Sequence, residues 1–370
     1  MLLPPLSETA EPLECRIHEA DEAVAAGEFA LALDLLEGVA PAPARSPRLA
    51  VRALVIESWA HAELGDLHRA LELLERAQGI SEQGNCSDTD RAEVYFRLGC
   101  CRLSLGAVSN AASLLTLALD LCDHTPEPCD RLRAQILDWR SRCYQRQHDW
   151  PAARADVERA LELVQSLGDA GASALIYFQA SIIAERERQW LLARCYAEQA
   201  RDLLAEVGDR PTLGRVLNNL GGIHFLLGDP ERARDCLQQA TELAEQRGND
   251  LDVGYALSSL AQVQLRTDEP LDAELHARRA LELLGERADH LNEIGNAQLI
   301  LARALLAQGR TNEAESTCAQ AEETYRRFGS PSHTASAWMA RADIARSTGD
   351  FERAADLYRD AADALQLVHF

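Results

Sequence analysis

Hydrophobic and polar positions alternate with a helical period along almost the whole chain. The pattern is sharpest over residues 211–247. There Leu213, Val216, Leu217, Leu220, Ile223 and Phe225 recur at three- and four-residue spacing, and then, after a break, so do Ala233, Leu237, Ala240 and Leu243. Apolar residues at that spacing form one stripe of a helix, so the stretch predicts two amphipathic helices. The break between them is Gly228-Asp229-Pro230. An aspartate accepts from the free backbone N–H groups of a helix start, and proline fits the first helical position, so the second helix is predicted to begin there.

Three small residues mark this hairpin: Gly221, Ala233 twelve residues on, and Ala240 seven further. The first mark lets the two helices approach closely opposite the second. The third lies where the next hairpin packs, and larger side chains there would cost about 1–3 kcal/mol each in strain. The first mark recurs as Ala20, Ser58, Gly99, Ser141, Ser181, Gly221, Ala261, Ala302 and Ala342, at intervals of 38, 41, 42, 40, 40, 40, 41 and 40 residues. The second recurs as alanine in every copy, from Ala32 to Ala354, and the third as alanine in all but the first copy, which has Val39. A fixed period of this kind belongs to a solenoid. The expected fold is therefore all-α, a solenoid of about nine helix-turn-helix repeats. Residues 1–12 form a lead-in and 13–370 a single elongated domain. The links are short and polar, such as residues 82–90, where Asp90-x-x-Glu93 reads as an acidic capping box.

Small-x11-Ala-x6-Ala, with Leu98-Gly99 and Leu220-Gly221 at the first mark and Gly65-Asp66, Gly228-Asp229 and Gly349-Asp350 at the turn, resembles the tetratricopeptide repeat (TPR). The resemblance covers about residues 13–367. The usual period is about 34 residues. The longer one here resembles the repeats of kinesin light chain and of bacterial regulators with helical-repeat sensor domains. Three copies depart from the pattern, with His148, Arg188 and Asp268 in place of the turn glycine. The resemblance implies a right-handed superhelix whose concave groove, lined by the first helix of each pair, binds peptides or proteins.

Charge narrows the partners. The formal net charge is −22, a field that opposes nucleic-acid phosphates and anionic lipid. No basic run or zinc-finger spacing is present, so neither nucleic acid nor a membrane is an expected partner. The ten cysteines show no CxxC, and they read as small buried hydrophobes in a reducing compartment. Without a signal-peptide pattern or an apolar run of about 20 residues, the expected location is cytoplasmic. Cys122-x-His124-x4-Cys129 is the one metal-like cluster, and it lacks a recognisable fourth ligand. Neither metal nor cofactor is expected. The apolar end Leu365–Phe370 offers a surface for folding back, for a second copy, or for further chain.

Residues three before and one, four or five after the first mark are expected on the concave side. In repeats one to three these are Ile17, Val24, Val55, Trp59, Phe96, Cys100 and Leu103, an apolar set that reads as core, or else as an anchor for hydrophobic ligand side chains. From repeat four onward they turn polar: Asp138, Arg142, Gln145, Arg146, Phe178, Glu185, Arg186, Asn218, Ser258, Gln262, Arg266 and Arg303, extended by Asn219 beside Asn218 and by Gln135, Arg215, Tyr255 and Asn296 six before their marks. Arginine holds carboxylates through a two-pronged fork, and asparagine or glutamine can pair with a peptide backbone. Asn218-Asn219 resembles the groove asparagines of peptide-binding TPR proteins. The stripe therefore suggests an extended peptide or protein segment with acidic side chains. The plainer reading is that these arginines pair with neighbouring acids. The expected function is a non-enzymatic scaffold or adaptor, with an effector-sensing module of a bacterial signalling or transcription regulator as the alternative. A regulatory phosphatase is the least favoured reading, because that type resembles a helical bundle followed by repeats.

Overall fold

The structure, a computed structural model, describes residues 10–39, 46–84, 86–126, 128–285 and 290–366. Among these it contains eighteen α-helices and no strand. In chain order they are α1 (Ala10–Ala25), α2 (Phe29–Leu36), α3 (Pro47–Glu63), α4 (Leu67–Gln83), α5 (Asp88–Ser104), α6 (Val108–His124), α7 (Asp130–Arg146), α8 (Trp150–Leu167) and α9 (Ala170–Arg186), followed by α10 (Trp190–Val207), α11 (Arg210–Leu226), α12 (Pro230–Gln246), α13 (Asp250–Arg266), α14 (Pro270–Leu284), α15 (Leu291–Ala307), α16 (Thr311–Phe328), α17 (Pro331–Ser347) and α18 (Phe351–Gln366). They form two compact units, Met1–Ile183 and Ala184–Phe370, divided inside α9.

The helix starts follow local chemistry. The backbone N–H of Arg232 donates to Asp229 Oδ1 at 3.1 Å, with Pro230 in the first turn. Asp66, Asp149 and Asp209 cap α4, α8 and α11 in the same way. One cap lies elsewhere than the sequence suggested. α5 begins at Asp88, so the capping box is Ser87 with Asp90 rather than Asp90 with Glu93. The Ser87 hydroxyl reaches the Asp90 N–H, and that places the helix start three residues earlier.

All nine hairpin turns share one backbone shape. Gly27, Gly65, Gly106, Gly228, Gly309 and Gly349 have positive φ, and so do His148, Arg188 and Asp268, at 61°, 60° and 60°. The three departures from glycine thus keep the turn, with a side chain held in a region that costs an L-residue about 1 kcal/mol.

The small marks are buried. Ala32, Ala70, Ala111, Ala153, Ala193, Ala233, Ala273 and Ala314 are fully enclosed. Ser58, Ser141 and Ser181 are buried with their hydroxyls donating at 2.7 Å to the carbonyl three residues back, so no polar group is left bare. At Gly221 an added Cβ would lie 2.6 Å from Leu237 Cγ and 3.2 Å from the Ala233 carbonyl. Its closest neighbour is therefore Leu237 rather than the Ala233 side chain. Repeat one is truncated: α2 ends at Leu36, and Val39 sits beyond the helix, half-buried.

Packing order defines an inner wall in each unit. In the first unit α1 meets α3, α3 meets α5 and α5 meets α7. In the second, α11 meets α13, α13 meets α15 and α15 meets α17. The even-numbered helices α2, α4, α6, α12, α14 and α16 pack instead on the odd-numbered ones at either side. Within α1–α7 and within α11–α17 the first helix of a hairpin therefore lies beside the first helix of the next, as a helical-repeat solenoid requires.

Candidate functional site

All seventeen residues of the stripe predicted from repeat four onward lie on odd-numbered helices. Gln135, Asp138, Arg142, Gln145, Arg146 and Phe178 belong to the first unit, the other eleven to the second. In the first unit Asp138 is buried and is taken up by Arg142, whose Nη2 donates to Asp138 Oδ2 at 2.7 Å. Burial pushes the Asp138 carboxyl above its ordinary pKa despite that guanidinium. Arg142 also lies over Trp139, 4.9 Å from the ring centroid, and Arg146 donates to the Leu103 carbonyl at 3.2 Å. Gln135 is exposed. The plainer reading of paired side chains thus describes Asp138 and Arg142. Ile17, Val24, Val55, Phe96 and Leu103 are buried as core, whereas Trp59 stays partly exposed with the Arg97 guanidinium 3.5 Å from its ring centroid.

The second unit gathers the rest more tightly. Asn218 on α11, Tyr255 and Gln262 on α13, and Asn296 and Arg303 on α15 line one cavity of about 490 Å³. Ser258, Ser259, Glu293, Leu299 and Ile300 complete it. Leu299 stands three before its mark, where the spacing rule points, whereas Ser259, Glu293 and Ile300 fall outside that rule. Ser259 and Ile300 stand two before their marks, a position on the same helical face that the spacing rule left out. Gln262 and Arg303 are exposed, while Asn218, Tyr255 and Asn296 are half-buried. Asn219 lies outside the cavity lining, and its amide donates to Glu185 Oε2 at 2.8 Å, tying α11 to α9.

Charge in this wall is uncompensated. Among the described residues Arg186 and Arg303 make no ion pair or hydrogen bond, Arg215 reaches only the Thr212 hydroxyl at 3.4 Å, and Arg266 stacks 5.3 Å from the Phe225 centroid. Arginines on other faces behave differently. Arg234 meets Glu269 at 2.6 Å, Arg310 meets Glu274 at 2.7 Å, and Arg341 meets Glu322 at 2.6 Å. In a chain with 59 acidic side chains, four guanidiniums without a carboxylate on one wall form a local anion-attracting surface. Glu293 is the cavity's own acid, and burial together with Glu293 and Asp252 pushes the Tyr255 phenol up to about 12. The Tyr255 hydroxyl lies 2.7 Å from His290 Nδ1.

No group of three His, Cys, Asp or Glu among the described residues could hold a metal. Cys122 and Cys129 are buried, and the Cys129 thiol donates to the Cys122 carbonyl at 3.4 Å. His124 points to the Asp120 carbonyl, 2.6 Å away. No described helix is long and apolar enough to cross a membrane. Residues 367–370, at the apolar end considered for self-association, lie outside the described residues.

Eighteen helices in nine hairpins, with small-residue seams and a polar inner wall, define a helical-repeat solenoid. The sequence profile of the tetratricopeptide repeat matches residues 212–286 and 293–366, so this stretch carries tetratricopeptide repeats. No curated protein matches it by sequence. Among solved structures it is similar to the apo form of the quorum sensor NprR from B. thuringiensis, at 14% identity and TM-score 0.71, covering 97% of this chain and 100% of that one. It is equally similar to apo RapI, at 14% identity and TM-score 0.71, covering 96% and 98%. A Rap protein complexed with competence and sporulation factor matches at 14% identity and TM-score 0.68, covering 97% and 99%. At that identity the likeness establishes the fold.

Proposed function

We propose that this chain is a non-enzymatic regulator that holds an extended peptide segment, with acidic side chains, against the inner wall of its second unit. The observation that carries the reading is the cavity lined by Asn218, Tyr255, Gln262, Asn296 and Arg303, beside guanidiniums that no carboxylate neutralises. Amide side chains there offer donors and acceptors to a peptide backbone, and the arginines offer forks to its carboxylates. Hydrogen bonds from preformed helices cost little ordering on binding.

The sensor variant is favoured over a passive adaptor. The structures of similar fold include a quorum sensor and a Rap protein solved with competence and sporulation factor. A segment lying across α11, α13 and α15 would touch three consecutive repeats at once, so it would bias their relative tilt and the surface they present to a partner. The chain is proposed to work in the cytoplasm.

The test is a pull-down from lysate, with the intact chain compared against an Arg215→Ala/Asn218→Ala variant. Arg215 is exposed and Asn218 half-buried, so helicity and thermal midpoint should hold while the captured ligand is lost. Undiminished capture by the double variant would remove the wall from the mechanism.

A further inference from the structure

Asn296 is the cavity residue whose orientation is fixed from behind. Its Oδ1 accepts a hydrogen bond at 2.7 Å from the Tyr325 hydroxyl. Tyr325 lies on α16, the second helix of the hairpin, and is fully buried at 0% exposure. It therefore cannot touch a ligand. A buried phenol needs a partner, and here the partner is a side chain that opens onto the cavity.

The repeat makes a specific place for this ring. Seven residues before the first mark and four after the third, the chain pairs Ala134 with Val164, Ala174 with Leu204, Gly254 with Leu284, and Gly295 with Tyr325. The eighth repeat has the bulkiest of these partners and a glycine facing it. A Cβ at Gly295 would stand 2.5 Å from Tyr325 Cε1 and 2.8 Å from Cδ1. Neighbouring groups brace the ring, with the His333 imidazole at 5.3 Å between centroids. Beside it, Thr324 donates to Gln298 Oε1 at 2.8 Å.

We infer that Tyr325 is a positioning residue that sets the polarity of the cavity. With its oxygen turned back to the Tyr325 hydroxyl, the Asn296 amide presents its N–H donors outward. Arg303, seven residues along the same helix, also offers only donors. Asn218 adds to the set: its Oδ1 is buried without a partner, so the group it can present is again N–H. Asn218 on α11 and Asn296 and Arg303 on α15 thus present donors to the cavity, with Glu293 at the start of α15 its one carboxylate, and the ligand group seated between these donors is an oxygen acceptor of a peptide, a main-chain carbonyl or a carboxylate. This inference rests on the peptide reading above.

The test uses Tyr325→Phe, which keeps the ring against Gly295 and removes only the hydroxyl, and Asn296→Asp, which keeps an acceptor for Tyr325 but turns an acceptor toward the cavity. Two random hexapeptide pools serve as probes: one with Asp, Glu and free C-termini, the other amidated with Asn and Gln in their place. Retained peptides are read by mass spectrometry, and the Asn296 side-chain amide is followed by 15N NMR without ligand. In Tyr325→Phe the Asn296 amide signals should shift and retention should fall about fivefold, the effect of one ordinary hydrogen bond. Asn296→Asp should lose the carboxylate pool more than the amidated one if a carboxylate occupies the seat, and both equally if a carbonyl does. Unmoved Asn296 signals in Tyr325→Phe, or unchanged retention in both variants, would overturn the inference. Wild-type protein that retains neither pool would instead refute the peptide reading, and the NMR comparison would still decide the role of Tyr325.

Discussion

The glycine ladder on the inner helices yields a prediction in which one substitution changes sign along the chain. Gly214, Gly254 and Gly295 occupy the same repeat position, seven before the first mark, in repeats six, seven and eight. A Cβ at Gly214 would meet Leu243 Cβ at 3.6 Å, an ordinary contact. At Gly254 it would meet Leu284 Cγ at 3.1 Å, and at Gly295 the Tyr325 ring at 2.5 Å. Replacing a mid-helix glycine by alanine gains about 1 kcal/mol of helix propensity. Nothing opposes that gain at position 214. At 254 a branched but movable leucine must yield a few tenths of an ångström, which brings the balance near zero. At 295 the obstacle is a fully buried ring tethered through its hydroxyl, and overpacking of this kind costs about 1–3 kcal/mol. With nearly an ångström of overlap the upper end applies, for a net loss of about 2 kcal/mol. Urea unfolding followed by helical circular dichroism should therefore rank Gly214→Ala above wild type, Gly254→Ala near it, and Gly295→Ala below it. The double variant Gly295→Ala/Tyr325→Leu recreates the Ala174–Leu204 pair of repeat five and should recover much of the loss. The packing argument fails if Gly295→Ala is as stable as Gly214→Ala, or if the double variant is no better than the single.

Two further outcomes follow from electrostatics and backbone shape. Burial pushes the Glu274 carboxyl up, but hydrogen bonds from Arg278, Gln308 and Arg310 more than offset it and hold the pKa at about 2. A depressed pKa contributes stability that is present above the ordinary value of 4.5 and lost as pH falls from there toward 2. Discounted for partial solvent screening, the contribution is about 1–2 kcal/mol; thermal midpoints across that pH range should converge for wild type and Glu274→Gln at the acid end, and parallel curves would contradict the assignment. At the turns, His148→Gly and Arg188→Gly should each stabilise by about 0.5–1 kcal/mol, since glycine takes positive φ freely, with part of the gain returned through unfolded-chain entropy. Asp268→Gly should gain least, because a short polar side chain tolerates that region best; a loss of stability in all three variants would mean the side chains contribute more than the strain costs.

Much of this molecule was legible in its residues because the determinants are local. The period, the helix start at Asp229, and the buried seams of Ala and Ser follow from groups a few residues apart. So does the placement of the predicted stripe on the first helix of each pair. Locality also explains the misses. The Ser87 cap competed with Asp90 one turn away, and a truncated α2 left Val39 off its helix. His148, Arg188 and Asp268 keep a glycine-like turn because the packed helices on both sides hold it, which side-chain preference alone does not reveal.

What only the tertiary structure decided is which stripe residues meet and in what state. Asn218, Tyr255 and Asn296 stand 37 and 41 residues apart, and they share a cavity because α11, α13 and α15 lie side by side at a tilt set by packing. Sequence spacing treats Arg142 and Arg303 alike as groove arginines. The fold buries a carboxylate beside the first and leaves the second without one, and Tyr325, invisible as a functional residue in the repeat pattern, acquires its role through a neighbour 29 positions away. Helical periodicity fixes the direction a side chain takes from its own axis, whereas ion pairing and cavity formation depend on what other helices bring to the same point in space.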